Sequence, residues 1–186
     1  MPWKNGGGIT HEIVRFPMSG DPFDWRVSMA QLDTSGPFSN FSGYSRTMVL
    51  LQGAGVALTV GDRHLVLKHV GDLAEFDGGL PTRGDLLHGP CTDLNLIVST
   101  SSIRARTWIA RLEGTRALRP PPRETMLVFA LNGPVTLEMD DGECHRLQTW
   151  DLALVSPQDR GVIGPAAGAQ GPVPLAFFAS LNDNSP

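Results

Sequence analysis

The chain is poor in the residues that mark several large classes of protein. Its only two cysteines, Cys91 and Cys144, lie far apart in the sequence, so no disulfide framework is supported and both are expected to be buried. No apolar run reaches the roughly 18 residues that a membrane span needs, and no secretory signal opens the chain. We therefore expect a cytoplasmic protein without a membrane partner.

Clusters of positive charge are also missing. Lys and Arg number 15 against 19 Asp and Glu, which gives a formal net charge of −4 at pH 7 and a pI of about 5.7. A nucleic-acid partner requires a basic surface that neutralises phosphates, and an anionic membrane surface attracts the same kind of patch. The composition therefore argues against both partners.

Short apolar runs separated by glycine and proline are what the chain has in quantity. It contains 21 Gly and 15 Pro, and hydrophobic residues make up 41% of its 186 residues, enough for a sizeable core. Such runs predict strands, here at 9–16, 25–32, 46–51, 56–60, 64–67, 94–98, 126–131, 135–139, 144–147, 152–155 and 175–181. The segment 101–113 leaves the element type open, although 104–109 alternates as a strand does. Many short strands with almost no helix signal favour a sandwich or barrel.

The predicted strands form two similar series, joined by a proline-rich segment at 120–122. In each series a glycine turn precedes two strands, and Asp-Leu-Ala then opens the next element, at Asp72 in the first series and at Asp151 in the second. This is the layout of the central hairpins of a jelly roll written twice, with chance similarity of two generic hairpins as the alternative. The prediction is an all-β double-stranded β-helix, or jelly roll, with domains at 1–119 and 120–186.

A glycine-rich motif opens the chain. Trp3, Lys4 and Asn5 precede three consecutive glycines, which are Gly6, Gly7 and Gly8. Glycines permit close backbone approach, so consecutive N–H groups can converge on an anion or carbonyl while Lys4 adds charge and Trp3 an apolar wall. A flexible chain start is the alternative. We favour the binding interpretation, because a tryptophan is costly to leave in water.

Three predicted strands each place a pair of polar side chains on one face. Successive side chains of a strand point to opposite sides, so the pairs are Thr10 with Glu12, Arg26 with Ser28, and Asp93 with Asn95. A polar face turned to water is the common alternative. The short, specific side chains favour a barrel lumen that binds one small molecule.

The donors in these motifs indicate the character of the ligand. Arg26, Arg46, Lys4 and the glycine N–H groups suit a carboxylate. The other end of the ligand could be an amine, imidazole or amide, held by the acceptors and amides of Glu12, Asp93, Asn5 and Asn95. Aromatic walls are available at Trp3, Phe41 and Tyr44, which are equally compatible with core packing. For the arginines, a structural ion pair with Glu12 or Asp93 is the alternative.

The same motifs resemble the HutD/Ves family. They are Trp3-Lys4-Asn5-Gly6-Gly7-Gly8, Thr10-x-Glu12, Phe23 to Ala30, Gly36-Pro37-Phe38-Ser39-x-Phe41, Gly43-Tyr44-x-Arg46 and Asp93-Leu94-Asn95. They cover the first half of the chain, while the second half matches only as a degenerate cupin-like repeat. The resemblance implies a bicupin, with two cupin-like barrels, in a bacterial cytoplasmic protein linked to histidine utilisation.

The candidate ligand-binding residues are those that the motifs and the alternation share. They are Trp3, Lys4, Asn5, Gly6, Gly7, Thr10, Glu12, Arg26, Ser28, Ser39, Phe41, Tyr44, Arg46, Asp93 and Asn95, and none is assigned a catalytic role. Metal-dependent cupins place two histidines one residue apart, then a carboxylate and a third histidine. None of the five histidines has that spacing, so we expect neither a metal nor another cofactor.

The favoured interpretation is a non-metal bicupin that binds a small carboxylate-bearing metabolite as a regulator, sensor or sink in histidine or other amino-acid utilisation. A cofactor-free isomerase, lyase or hydrolase acting on a histidine-degradation intermediate is the alternative, because Glu12 with Arg26 or Lys4 could transfer protons. A third interpretation is a structural module with a vestigial pocket, which leaves a homodimer open. Whether the protein is an enzyme is not decided, and a binding protein is favoured.

Overall fold

The structure is a computed structural model that describes residues 8–183, and these residues form seventeen strands and no helix. The chain divides between Ile103 and Arg104 into two compact units, called here the first unit and the second unit. No helix within residues 8–183 has the length and apolar character needed to cross a membrane.

The first unit contains two antiparallel sheets. Its larger sheet has the order β1-β2-β9-β4-β7 and its smaller sheet the order β3-β8-β5-β6. The strands are β1 (Gly8–Phe16), β2 (Trp25–Leu32), β3 (Gly36–Pro37), β4 (Tyr44–Gly53), β5 (Val56–Val60), β6 (Arg63–Leu67), β7 (Leu73–Asp77), β8 (Thr82–Leu86) and β9 (Cys91–Ser99).

The second unit also contains two sheets, of four strands each. Their orders are β10-β17-β12-β15 and β11-β16-β13-β14. The strands are β10 (Ile103–Arg111), β11 (Arg116–Leu118), β12 (Glu124–Ala130), β13 (Val135–Met139), β14 (Cys144–Leu147), β15 (Leu152–Val155), β16 (Gly161–Pro165) and β17 (Leu175–Asp183).

The two units repeat one topology. The order β2-β9-β4-β7 corresponds strand for strand to β10-β17-β12-β15, and β3-β8-β5-β6 corresponds to β11-β16-β13-β14. Strand β1 is an addition at the edge of the larger sheet of the first unit. The duplicated all-β jelly roll expected from the sequence is therefore confirmed.

The division between the units follows from this repeat. Strand β10 takes in the second unit the position that β2 has in the first, so the second copy starts at Arg104. The sequence-based boundary after residue 119 is based on the proline-rich segment 120–122. In the structure this segment lies between β11 and β12. Two strands that precede those prolines thus pair within the sheets of the second unit.

Each unit buries the apolar residues that alternate along its strands. In the first unit Met48 and Leu50 of the larger sheet pack in one cluster with Val56 and Leu58 of the smaller sheet. The second unit builds the equivalent cluster around Val128 of one sheet and residues such as Val135 of the other. Burial of such side chains contributes about 1.5–3 kcal/mol each, which makes these clusters the main source of stability.

The two cysteines differ in their surroundings. Cys91 is buried, as expected, but Cys144 is exposed, so the expectation for Cys144 was wrong. Cys144 is the first residue of β14, the edge strand of its sheet, where only one neighbour covers the strand. The alternation used to predict burial does not distinguish an edge strand from a central one.

Candidate functional site

Cross-strand register aligns the polar residues of the first unit on one face of its larger sheet. Residues directly opposite each other in antiparallel strands point to the same face, and Ser28 of β2 lies opposite both Glu12 of β1 and Asn95 of β9. Three neighbouring rows result: Thr10, Ala30, Asp93 and Leu50; Glu12, Ser28, Asn95 and Met48; and Arg26, Ile97, Arg46 and Phe76.

A small cavity of about 70 Å³ lies on this face. Its lining contains seven of the residues expected from the sequence together with three others. The seven are Thr10, Arg26, Ser28, Ser39, Phe41, Arg46 and Asn95, and the other three are Ala30, Phe38 and Ile97. The cavity therefore collects residues from β1, β2, β4 and β9 and from the segment that follows β3.

Arg46 lies at the centre of the polar side chains and is only 4% exposed. One of its terminal nitrogens, Nη2, donates a hydrogen bond to Oδ1 of Asn95 at 2.6 Å. Its guanidinium carbon lies 5.1 Å, 5.2 Å and 5.6 Å from the ring centres of Phe38, Phe76 and Phe41. The aromatic faces stabilise the cation and orient it, but they do not neutralise its charge.

The hydrogen-bond chain continues from Asn95 to Asp93. The amide nitrogen of Asn95 donates to Oδ1 of Asp93, a carboxyl group that is 0% exposed. Within residues 8–183 the other oxygen, Oδ2, has no hydrogen-bond partner. Burial raises the pKa of Asp93 to about 7, although the positive charge of Arg46 acts in the opposite direction. Burial likewise lowers the pKa of Arg46 to about 10, against the effect of Asp93.

Arg26 forms the second cationic part of the lining. Its guanidinium carbon lies 5.1 Å from the ring centre of Phe23 and 5.2 Å from that of Phe41. Burial lowers the pKa of Arg26, and the nearby Glu12 carboxylate partly opposes this shift. Its Nε is buried and has no hydrogen-bond partner in the described part of the chain. Arg26 and Arg46 thus bring two positive charges to one small cavity.

Neither arginine forms a direct ion pair with the acids considered in the sequence analysis. Among residues 8–183, no nitrogen of Arg26 or Arg46 lies within 4.0 Å of a carboxylate oxygen of Glu12 or Asp93. Asp93 is connected to Arg46 only through Asn95. Among the described residues, no direct ion pair therefore neutralises the charge of either arginine.

Several expected site residues lie away from the cavity. Glu12 is exposed on the edge strand β1 and does not contribute to the lining. Tyr44 donates its hydroxyl hydrogen to the carbonyl oxygen of Phe23 at 3.0 Å, and its ring packs against Phe23 and Phe41. Asp93 supports Asn95 without lining the cavity. The expected rim residues Trp3, Lys4, Asn5, Gly6 and Gly7 lie outside the described residues.

Phe38 is one of the three lining residues that the sequence analysis did not select. It follows the two-residue strand β3, and Gly84 of β8 gives its ring the necessary space. A Cβ atom at Gly84 would lie 2.6 Å from Cε2 of Phe38, which is closer than real contacts allow. The motif Gly36-Pro37-Phe38 was visible in the sequence, but its approach to Arg46 depends on the pairing of β3 with β8. Ala30 and Ile97 could have been found, because they continue the alternation of Ser28 and Asn95.

The donor set determines what the cavity can bind. Its lining contains no His, Cys, Asp or Glu, which are the usual metal ligands. Within residues 8–183 no group of three or more such side chains is placed to hold a metal ion. The lining instead offers two guanidinium groups, an amide and hydroxyls, so it is suited to an anion that accepts hydrogen bonds.

Comparison with known proteins gives one family match and several relatives. The HutD family model matches residues 1–170. An uncharacterised 21.2 kDa protein in the hutC 3′ region of Pseudomonas putida is 38% identical over 161 residues, which are 86% of this chain and 83% of that protein. The protein Ves of Cronobacter sakazakii is 36% identical over 111 residues, which are 58% of this chain and 60% of that protein.

Several solved structures are also similar to this chain. A conserved protein of unknown function from Pseudomonas aeruginosa PAO1 is 30% identical, with a TM-score of 0.86 over 98% of this chain and 93% of that one. HutD from Pseudomonas fluorescens SBW25, solved in a formate condition, is 31% identical, with a TM-score of 0.74 over 100% and 94%. An oxalate decarboxylase of Lactobacillus farciminis is only 11% identical, with a TM-score of 0.66 over 96% and 82%, and shows a similar fold alone.

Proposed function

Because the chain belongs to the HutD family, we propose that its first unit binds a small carboxylate-bearing metabolite and thereby serves as a regulator, sensor or sink in histidine utilisation. The observation that carries the proposal is the convergence of Arg26 and Arg46 on one cavity whose lining has no acidic side chain. A family relative that lies in the hutC 3′ region supports the link to histidine utilisation.

The charge balance of the cavity favours a bound anion. Arg46 is buried, and its one hydrogen-bonded partner in the described chain is the neutral amide of Asn95. Asp93, the nearest buried acid, has a pKa of about 7 and is therefore only partly ionised at neutral pH. A buried cation without a full counter-charge is costly. A ligand carboxylate would supply the missing negative charge and hydrogen-bond acceptors.

The size of the cavity limits the group that enters it. A volume of about 70 Å³ accommodates one small acid or the carboxylate end of a longer molecule. The aromatic rings of Phe38 and Phe41 on the lining lower the local polarity and so strengthen the attraction between guanidinium and carboxylate. The hydroxyl groups of Thr10, Ser28 and Ser39 add polar contacts that could distinguish one acid from another.

Thermal unfolding with a panel of acids tests this proposal. The panel consists of formate, histidine, urocanate, formiminoglutamate, formylglutamate and glutamate. A ligand at about a hundred times its dissociation constant should stabilise the protein by about 2.7 kcal/mol. Arg26→Gln should remove most of this stabilisation, because it deletes one of the two cations while keeping a polar side chain.

Arg63→Gln is the matched control, since Arg63 is an exposed arginine of β6 in the same unit and away from the cavity. It should leave the ligand-induced shift unchanged. The proposal is wrong if no acid of the panel stabilises the protein, or if Arg26→Gln and Arg63→Gln reduce the shift equally. A fall in the concentration of the stabilising acid during incubation would instead indicate the enzymatic alternative.

A further inference from the structure

We propose that the second unit carries a separate binding site for an organic anion with a flat apolar body. The site is a cavity of about 550 Å³ with an apolar floor and a rim of three arginines, Arg106, Arg116 and Arg119. It shares no residue with the cavity of the first unit and does not depend on what that cavity binds.

The larger cavity occupies the equivalent place in the repeated topology. Met126 of β12 lies opposite Ser180 of β17, just as Arg46 of β4 lies opposite Ile97 of β9, and both pairs contribute to their cavities. Arg106 precedes the buried Ala110 by the same interval that separates Arg26 from the buried Ala30. The jelly roll thus forms a cavity at the same position twice, and the second one has a different lining.

The floor of the second cavity is suited to a flat apolar group. Met126, Phe178, Leu118 and Ile163 are each no more than 6% exposed and line it together with Trp108. The rings of Trp108 and Phe178 stack with centres 5.2 Å apart and planes inclined by 3°. This stacking covers one face of each ring. The partly buried Trp108 still offers part of its flat indole to the cavity, which favours an aromatic or other planar ligand over a branched one.

The rim of the second cavity carries uncompensated positive charge. Arg106, Arg116 and Arg119 are exposed, and no guanidinium group of the three forms an ion pair or hydrogen bond with another residue between 8 and 183. The only acid of the lining, Glu124, accepts hydrogen bonds from Ser180 and Asn182. Three arginines against one acid already engaged by its neighbours select a carboxylate or sulfonate, and their forked donors can bind it bidentately.

The volume and the charge together define the ligand class. A cavity of about 550 Å³ lies in the range typical of sites for drug-sized molecules, whereas about 70 Å³ in the first unit excludes a bicyclic acid. The expected ligand therefore has an anionic head at the arginines and a planar apolar body on Trp108, Phe178 and Met126.

Isothermal titration calorimetry with 2-naphthoate tests this site in the full chain. We expect one saturable site per chain, and weaker binding of the neutral 2-naphthamide. Arg106→Gln and Arg116→Gln should each weaken 2-naphthoate binding about tenfold, as expected for a lost charged hydrogen bond. Leu118→Trp should block binding without removing a charge, because Leu118 lies on the cavity floor and a larger ring there would fill the space.

Two control variants show whether binding depends on the arginines of this rim. Arg111→Gln removes one charge from the same strand as Arg106, but Arg111 is exposed, contacts Glu113 and does not line the cavity. Arg26→Gln removes a cation from the first unit. Both should change the affinity for 2-naphthoate less than twofold. The proposal fails if no binding saturates below about 1 mM, if Leu118→Trp binds normally, or if Arg111→Gln weakens binding as much as Arg106→Gln.

Discussion

The two units place different side chains on the same frame. Met48 lies opposite Ala74, and Val128 lies opposite Ala153. Both alanines end an Asp-Leu-Ala segment, so Met48 and Val128 are equivalent positions. With that alignment, Arg46, Asn95 and Asp93 of the first unit correspond to Met126, Phe178 and Ala176 of the second. A hydrogen-bonded polar chain in one unit is thus an apolar floor in the other. The jelly roll fixes where a cavity forms, and a few inward side chains decide its chemistry.

The cavity sizes differ for a related reason. Gly36 and Gly84 lie opposite each other in the first unit, where Arg116 and Ile163 lie opposite each other in the second. Phe38, two residues after Gly36, therefore corresponds to Leu118. Its larger ring reaches the buried arginine and leaves about 70 Å³, whereas the second unit retains about 550 Å³.

The largest effect is expected when Arg46 receives the residue found in the second unit. Arg46→Met should reduce carboxylate affinity about a hundredfold, since two charged hydrogen bonds are lost. At pH 8 it should also lower the free energy of unfolding by about 3 kcal/mol, because Asp93 loses its nearest cation. Calorimetry and urea unfolding measure the two quantities.

A second substitution shows whether the stability loss arises from the isolated acid. Arg46→Met with Asp93→Ala makes both positions as in the second unit and removes the buried charge altogether. We expect this double variant to regain at least half of the lost stability and none of the lost affinity. If the single variant still binds carboxylate normally, the cavity is not the binding site.

The next effect concerns pH, because the second unit has an alanine where the first has Asp93. The pKa of Asp93 is raised to about 7, above the value of about 3.9 in an unfolded chain. Between these values the unfolded state releases the proton while the folded state keeps it, so stability falls as the pH rises from about 4 to about 7. Above about 7 both states are ionised and this contribution stays constant.

Asp93→Asn should remove that part of the pH dependence, since asparagine cannot titrate but still accepts the hydrogen bond from Asn95. Urea unfolding at a series of pH values, followed by circular dichroism, measures the difference from the natural chain. Asp62→Asn, in the turn between β5 and β6, is the control and should keep the natural slope. Parallel stability curves for the natural chain and Asp93→Asn would contradict the raised pKa.

The smallest effect is expected from exchanging the ring that fills the first cavity. Phe38→Leu should cost about 1–2 kcal/mol, because it removes a cation–π contact with Arg46 and leaves a void. It should also improve the binding of larger acids relative to formate.

Adding Gly84→Ile, which gives position 84 the isoleucine that the second unit has at the equivalent place, should recover part of the lost stability by filling the space. A double-mutant cycle of urea unfolding measures this coupling, and strictly additive effects would show that the two positions are independent.

The repeated fold could be predicted because its signals are local. Glycine turns, alternating strands and two Asp-Leu-Ala segments indicated the duplicated hairpins, which the structure contains as β5 with β6 and β13 with β14. Strands such as β3, β11 and β16 were not predicted. They are short, or contain glycine and proline, and they are strands only because a neighbour pairs with them.

The candidate site was predictable to the extent that it depends on alternation. Alternation grouped Arg26 with Ser28 and Asp93 with Asn95, and register then placed the two pairs on one face of the sheet. It does not report depth, so it could not separate the exposed Glu12 from the fully buried Asp93. It also does not report contacts between sheets, which is why Phe38 was missed.

The close fit between Gly84 and Phe38 also constrains how one lining can be converted into the other. Isoleucine at position 84 beside the phenylalanine would overlap the ring, since even a Cβ lies only 2.6 Å from it. Conversion of the first lining into the second therefore requires Phe38→Leu before Gly84→Ile. In the opposite direction, glycine must replace isoleucine before phenylalanine replaces leucine. The order of substitutions, and not only their sum, decides whether every intermediate folds.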